Sequence, residues 1–216
     1  MEDLYKYERE LYLKKINYIG GVDEVGRGPL VGNVVAACVV LPKDFKLEGL
    51  TDSKKLSEKK REMYYEYIIN NAICYGIGEV SPSRIDEINI YEATKEAMIK
   101  SIREVQSKID LEHVLIDAMP LSIDVDTTSI IKGDTKSISI AAASVVAKVT
   151  RDRQMYELDK EYPMYGFKSH KGYPTKKHIE AILRYGVLPC YRMSYGPVKE
   201  VINEKGIDYG INKTKL

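Results

Sequence analysis

Four acidic side chains stand where carboxylates can do chemistry. Asp23 and Glu24 follow the apolar run that opens YIGGVDEVGRGPLVGNVVAACVVL, residues 18–41. Asp117 closes the short run 113–116, and Asp134 follows the run 129–131 across Lys132-Gly133. Ionised carboxylates at the ends of buried strands are costly unless compensated. Two compensations are open on spacing alone: an ion pair with Arg27, or a bound cation. If the strands are neighbours running the same way, the carboxylates converge at one edge of a sheet, where ligands of open α/β sheets bind. Hard oxygen donors without Cys or His favour Mg²⁺ or Mn²⁺. Such a cluster can hold two cations about 4 Å apart, an arrangement that drives in-line phosphoryl displacement. Successive strand residues face opposite ways, so Asp23 is the better ligand and Glu24 would reach in from the side. Taken singly, Asp117 also reads as a turn residue and Asp134 as a turn or cap.

These acids need elements to hold them. β-branched residues dominate around 19–22 and 34–41, with Gly and Pro bounding both runs, which predicts two buried strands. Residues 72–80 read as a third, giving an antiparallel meander. Residues 2–15 predict an amphipathic helix with Leu4, Tyr7, Leu11 and Leu13 on its apolar stripe, and Ser57 caps a helix over 58–69. A turn over 85–89 leads into a long helix over 90–108, long enough for the crossover to a parallel strand. The helix over 139–161 begins IAAASVVAKV, which implies tight core packing. After a loop over 162–174, Thr175 caps a helix to 185, a last turn spans 197–203, and the tail beyond Gly206 reads as frayed. One α/β domain through about residue 161 is expected, with a helical extension over 162–216.

Composition limits the rest. The 216 residues carry 44% hydrophobic and 30% charged residues at a net charge of +1. That describes a soluble globular chain with no global field for a polyanion, so any such surface must be local. Three scattered cysteines suit a reducing cytosol, and Cys38 belongs to an apolar strand. The polar N-terminus is not a signal peptide, and no apolar run approaches the roughly 18 residues a membrane helix needs. The turn Asp52-Ser53-Lys54-Lys55 reads either as a cap or as a phosphate clamp built from Lys54 and neighbouring N–H groups, Ser53 included. Lys168, Lys171, Lys176 and Lys177 interleave with Tyr165, Phe167 and Tyr173. They form either a solvated face or a surface that tracks a nucleic-acid backbone. His170 and His178 read as surface residues, and Arg151 with Asp152 either as a local pair or as residues that help position the site.

GVDEVGRGPLVG, TDSKKLS, LIDAMPL, IIKGDTKSISIAAASVVAKVTRDRQM and HKGYPT, in this order, resemble the successive motifs of bacterial ribonuclease HII. The resemblance covers residues 18–195. It implies a ribonuclease H-like fold, a mixed five-stranded sheet flanked by helices, with a small helical C-terminal part. It implies an endonuclease that cuts the RNA strand of RNA/DNA hybrids. It also implies incision on the 5′ side of a single ribonucleotide in duplex DNA, leaving 3′-hydroxyl and 5′-phosphate ends. The family's acidic quartet maps onto Asp23, Glu24, Asp117 and Asp134. Gly26, Arg27 and Gly28 map onto the triplet that reads the ribose 2′-hydroxyl through backbone groups, and Tyr173 onto the tyrosine that stacks on the following sugar. Glycines let a backbone approach a sugar closely, and the 2′-hydroxyl separates RNA from DNA.

Two rivals remain. Ribonuclease HIII carries an extra N-terminal domain and a lysine-type GKG turn, whereas only 17 residues precede the first strand here and the turn is GRG. A non-catalytic nucleic-acid-binding module is disfavoured by an intact quartet, since carboxylates near phosphates repel unless cations intervene. GRGPLVG lacks the Lys-Ser/Thr ending of a phosphate loop and leads into a strand. A cytoplasmic monomer is the expectation.

Overall fold

The structure, a computed structural model, describes residues 3–205, so the tail beyond Gly206 lies outside the described residues. Chain order is α1 (Lys6–Leu13), β1 (Ile19–Val25), β2 (Val34–Val40), α2 (Glu58–Asn71), β3 (Cys74–Val80), α3 (Pro82–Gln106), β4 (His113–Asp117), β5 (Asp126–Ile130), α4 (Ile138–Glu161), α5 (Phe167–His170), α6 (Lys176–Tyr185) and α7 (Gly196–Lys205). The five strands form one sheet in the order β3-β2-β1-β4-β5. β1 pairs antiparallel with β2 and parallel with β4, and β4 pairs parallel with β5. The sheet is therefore mixed, as the family resemblance implies. All seven residues of β2 are buried, which explains its unbroken apolar run: a strand covered on both faces need not alternate.

The described residues divide into two compact units. The first holds the residues through Val25, Val35–Glu79 and Thr94–Thr150; the second holds Gly26–Val34, Val80–Ala93 and the chain from Arg151 onward. In the first, Ala37 and Val39 of β2 share a core with Tyr64 and Ile68 of α2 and with Ala141, Ala142 and Val145 of α4. The small residues of α4 let it press close. A Cβ on Gly21 would fall 2.0 Å from the carbonyl carbon of Ser139, so the β1 backbone lies directly on the first turn of α4. On β3, Gly76 and Gly78 meet the backbone of α3 at Ser101 and Ala97 in the same way. The second unit has its own core of Leu30, Val31, Phe167, Ile182, Leu188, Tyr191 and Val198, among others.

Several boundaries depart from expectation for local reasons. Helix α3 begins at Pro82, not near residue 90, because the Ser81 hydroxyl accepts from Arg84 N–H and starts a turn there. The expected turn survives as a break at Asn89 (φ 69°), whose side chain caps the second half through Tyr91 and Glu92 N–H. Strand β5 starts at Asp126, earlier than the apolar run begins, and exposes Asp126 and Ser129. The expected loop after α4 contains α5. In α1, Leu13 is 85% exposed, while Glu8 is only 2% exposed. Glu8 Oε1 accepts from Ser137 Oγ and from Ser139 N–H, tying α1 to the start of α4. Among the described residues no helix is long and apolar enough to cross a membrane.

Because Gly21 has backbone, not a flexible side chain, against it, Gly21→Ala should cost about 1–3 kcal/mol or more through overpacking. A urea unfolding midpoint that is unchanged would contradict this packing.

Candidate active site

The parallel ladder between β1 and β4 ends at Val22↔Ile116, and the next residues are Asp23 and Asp117. Two neighbouring strands running the same way thus deliver a carboxylate each to the same edge, as the strand-end pattern anticipates. Beyond β5 the chain turns through Lys132 in the left-handed region (φ 58°) into a short 3₁₀ turn, Gly133–Thr135, that holds Asp134. Gly133 N–H donates to Asp117 Oδ1 at 2.6 Å. A Cβ on Gly133 would meet Ile140 Cδ1 at 2.6 Å and Asp117 Oδ1 at 3.3 Å, so only glycine seats this turn against Asp117. Ala118 also takes positive φ (50°) and turns the chain immediately after Asp117, a strained position for a residue with a Cβ.

The four acids differ in burial. Asp23 is 6% exposed, while Glu24, Asp117 and Asp134 are half-buried. Burial pushes the Asp23 carboxyl well above the usual carboxylate range, and the charges of Glu24 and Asp117 push it further; hydrogen bonds from Ser144 and from Glu24 N–H (2.7 Å) only partly offset this. Asp117 is raised by burial, against the pull of Gly133 N–H and Lys54. Asp134 is raised by burial, then by Asp117 and Asp52, against Lys54 and Lys55. The Asp52–Lys55 turn therefore lies in the same field as Asp117 and Asp134.

Of the two alternatives the sequence leaves open for that turn, the cap is present. Asp52 caps it, accepting from Lys54 N–H at 2.9 Å, and the charge of Lys54 acts on Asp117 and those of Lys54 and Lys55 on Asp134. Ser53, however, is buried, and its hydroxyl is hydrogen-bonded to Ser144 Oγ at 2.9 Å. Any contact between Ser53 and a phosphate falls to its backbone. Sequence reasoning missed three residues here: Asp52 as a further negative charge, Ser144 within an apolar helical run, and Glu8. Ser144 and Glu8 carry no local signal, since each looks like an ordinary helix residue until the helix is packed.

Among the described residues, no group of three or more His, Cys, Asp or Glu stands ready-made to hold a metal ion. Backbone N–H groups occupy one oxygen of Asp23 and one of Asp117 instead. The donor set nevertheless suits a hard divalent cation: oxygen ligands only, one deeply buried, with Asp23, Asp117 and Asp134 raised by burial and by like charge that a cation would neutralise.

The second unit assembles the other residues the sequence singles out. Gly26 is buried with φ 91°, whereas Arg27 and Gly28 are exposed. A Cβ on Gly28 would touch the Tyr173 ring at 3.4 Å, so an exposed glycine lies beside a ring that is itself 41% exposed. The segment carrying Tyr173 is pinned by Leu30 N–H to Gly172 O and by Arg151 Nη1 to Lys171 O. His178 is not a surface residue: it is fully buried, with Nδ1 2.8 Å from Tyr173 O and Nε2 2.8 Å from Tyr191 Oη. A carbonyl only accepts, so Nδ1 carries the proton and Nε2 accepts from Tyr191. Burial lowers the His178 pKa to about 4, keeping the ring neutral at neutral pH. His170 stacks on it, centroids 4.1 Å apart. Arg151 is fully buried, and its guanidinium donates to the carbonyls of Val31, Asn33 and Lys171.

A mixed sheet with carboxylates at the ends of adjacent parallel strands is the architecture of the ribonuclease H-like nucleases. Solved structures agree. The ribonuclease H2 of Pyrococcus horikoshii OT3 matches with a TM-score of 0.73 at 26% identity, covering 86% of this chain and 97% of that one. Bst-RNase HIII in complex with Mn²⁺ shares the fold at 15% identity, with a TM-score of 0.70 over 88% of this chain and 70% of that one. The sequence narrows the class. The family model described as ribonuclease HII matches residues 20–198. The ribonuclease HII of Bacillus cytotoxicus is 55% identical over 203 residues, 94% of this chain and 78% of that protein. The chain belongs to the ribonuclease HII family and is a hydrolase of the ribonuclease H class.

Asp23 carries a testable consequence. A carboxyl whose pKa is raised by folding stabilises the fold fully below its unfolded pKa and loses that contribution as pH rises through the folded value. Asn cannot ionise. In EDTA, Asp23→Asn should therefore become more stable relative to the wild type as pH climbs from about 4 to 8, and added Mg²⁺ should stabilise the wild type more than the variant. Parallel urea midpoints at every pH would show that Asp23 is not held under this strain.

Proposed function

We propose that the protein hydrolyses the RNA strand of RNA/DNA hybrids and incises duplex DNA on the 5′ side of a single embedded ribonucleotide, leaving 3′-hydroxyl and 5′-phosphate ends. The observation that carries this reading is the placement of Asp23 and Asp117 one residue past the last parallel rung, with Gly133 N–H binding Asp117 and so bringing the turn that holds Asp134 to Asp117. Asp23, Asp117 and Asp134 would hold two Mg²⁺ or Mn²⁺ ions, with Glu24 contributing from the side; a fold neighbour was solved with Mn²⁺. Divalent ions at such a cluster supply Lewis acidity and an activated water for in-line displacement. The chain's own residues do the rest. Lys54 and the N–H groups around Ser53 take a phosphate. Gly26, Arg27 and Gly28 take the ribose 2′-hydroxyl through the backbone, and the exposed face of Tyr173 packs on the next sugar, so that the pair senses the RNA–DNA junction.

Residues 1–161 are proposed as the catalytic core and 162–216 as an extension that grips the duplex. A cytoplasmic monomer accompanies this reading, in keeping with three free cysteines.

A duplex with one ribonucleotide, end-labelled, should be cut once, on the 5′ side, with Mg²⁺ or Mn²⁺ and not with EDTA. Asp23→Asn should abolish that cut while the protein stays folded. Tyr173→Ala should impair incision at the lone ribonucleotide more than cutting of a continuous RNA strand; equal losses would assign Tyr173 to packing. Lys54→Ala should reduce the salt dependence of duplex binding by about one unit of slope. Cutting of a continuous hybrid alone would favour an HIII-like activity, and duplex binding without cutting a non-catalytic module.

A further inference from the structure

We propose that Arg192 is the positioning residue for ribonucleotide selection: it holds the Gly26–Gly28 turn in a backbone shape that directs amide donors outward toward the 2′-hydroxyl. The proposal rests on the reading of that turn given above and adds what shapes it.

Arg192 is fully buried. Removing a guanidinium from water is costly unless each donor is matched. Here the acceptors are backbone carbonyls. Nη2 donates to Gly26 O at 2.6 Å and to Gly32 O at 2.9 Å. Nε donates to Gly32 O at 3.1 Å, and Nη1 to Arg27 O at 3.0 Å and to Tyr195 Oη at 3.0 Å. Tyr195 Oη donates in turn to Arg27 O at 2.7 Å. One side chain thus spans the turn from Gly26 to Gly32, and the Tyr195 hydroxyl locks its middle carbonyl.

The consequence follows from the planar trans peptide, in which C=O and the next N–H point opposite ways. With the carbonyls of Gly26 and Arg27 drawn onto Arg192, the N–H groups of Arg27 and Gly28 are directed away from it. Successive backbone N–H groups aimed one way form a concave donor site for oxygen. A ribose hydroxyl can accept there, and a deoxyribose has no atom to offer. The exposed Gly28 beside the Tyr173 ring belongs to the same face. Lysine cannot replace this arginine, because a point charge with three donors cannot satisfy three carbonyls held in a fixed fan. Gly26 is fixed from beneath as well: its φ is 91°, and a Cβ would lie 2.4 Å from Arg151 Nε.

The test is a ratio of affinities. Fluorescence anisotropy, with Ca²⁺ in place of Mg²⁺, gives Kd for a duplex with one ribonucleotide and for the same duplex made wholly of DNA. Arg192→Lys should lose tenfold or more of the wild-type preference for the ribonucleotide duplex while its affinity for all-DNA duplex stays within about twofold, an expectation from the loss of preorganised donors. Tyr195→Phe removes a single hydroxyl and should lose part of the same preference; it decides the matter if the Arg192 variant does not fold. A purely structural role would weaken both duplexes together and leave the ratio intact, which overturns the proposal. A wild type that shows no preference at all would overturn the reading of the turn itself, a result distinguishable from variants that keep a wild-type preference.

Discussion

The buried carboxyl of Asp23 is the constraint on which the acidic edge of the first unit depends. It sits at the last buried position of a central strand, next to Glu24 and one strand from Asp117, and burial and like charge both oppose its ionisation. Stability alone would not select that arrangement. Every close device around it serves to bring charge together: Gly21 lets α4 press on β1, Gly133 lets its turn close on Asp117, and Ser144 offers a hydroxyl from the helix beneath. A fold that gathers like charge in a dry place stores free energy that a divalent cation releases on binding.

The second unit handles buried charge in the opposite sense. Arg151 and Arg192 are cations turned toward carbonyl oxygens. Each carbonyl they hold is one the loops cannot turn outward, so the two arginines set the shape of the Gly26–Gly28 turn and of the Tyr173 segment. Neutral His178 completes the scaffold by donating to Tyr173 O. In the proposed function, recognition would draw on this backbone shape and catalysis on the side-chain charge of the first unit.

Sequence legibility follows the same division. Apolar runs that end in an acid identified β1 and β4 and the edge where Asp23 and Asp117 stand, because strand burial and strand termination are local. The cap at Ser57 and the one at Thr175 were legible for the same reason, each accepting from the N–H three residues on. Glu8, Ser144, Arg192 and His178 were not, since their roles come from partners far along the chain: Glu8 binds residues 129 and 131 positions away, and Arg192 one 166 away. Polar residues of this kind look like surface until the fold supplies their acceptors. The start of α3 was hidden by the break at Asn89, which reads as a helix start and is a kink.

The most direct measurement of the central claim is the carboxyl ¹³C titration of Asp23 by NMR, in EDTA and then in Mg²⁺. The Asp23 carboxyl should titrate well above the usual carboxylate range without metal and fall below it when Mg²⁺ is present, and Asp117→Asn should lower the metal-free value. A carboxyl that titrates in the ordinary range and ignores Mg²⁺ would contradict the account, because the strand ends would then hold unstrained acids with no call for a cation.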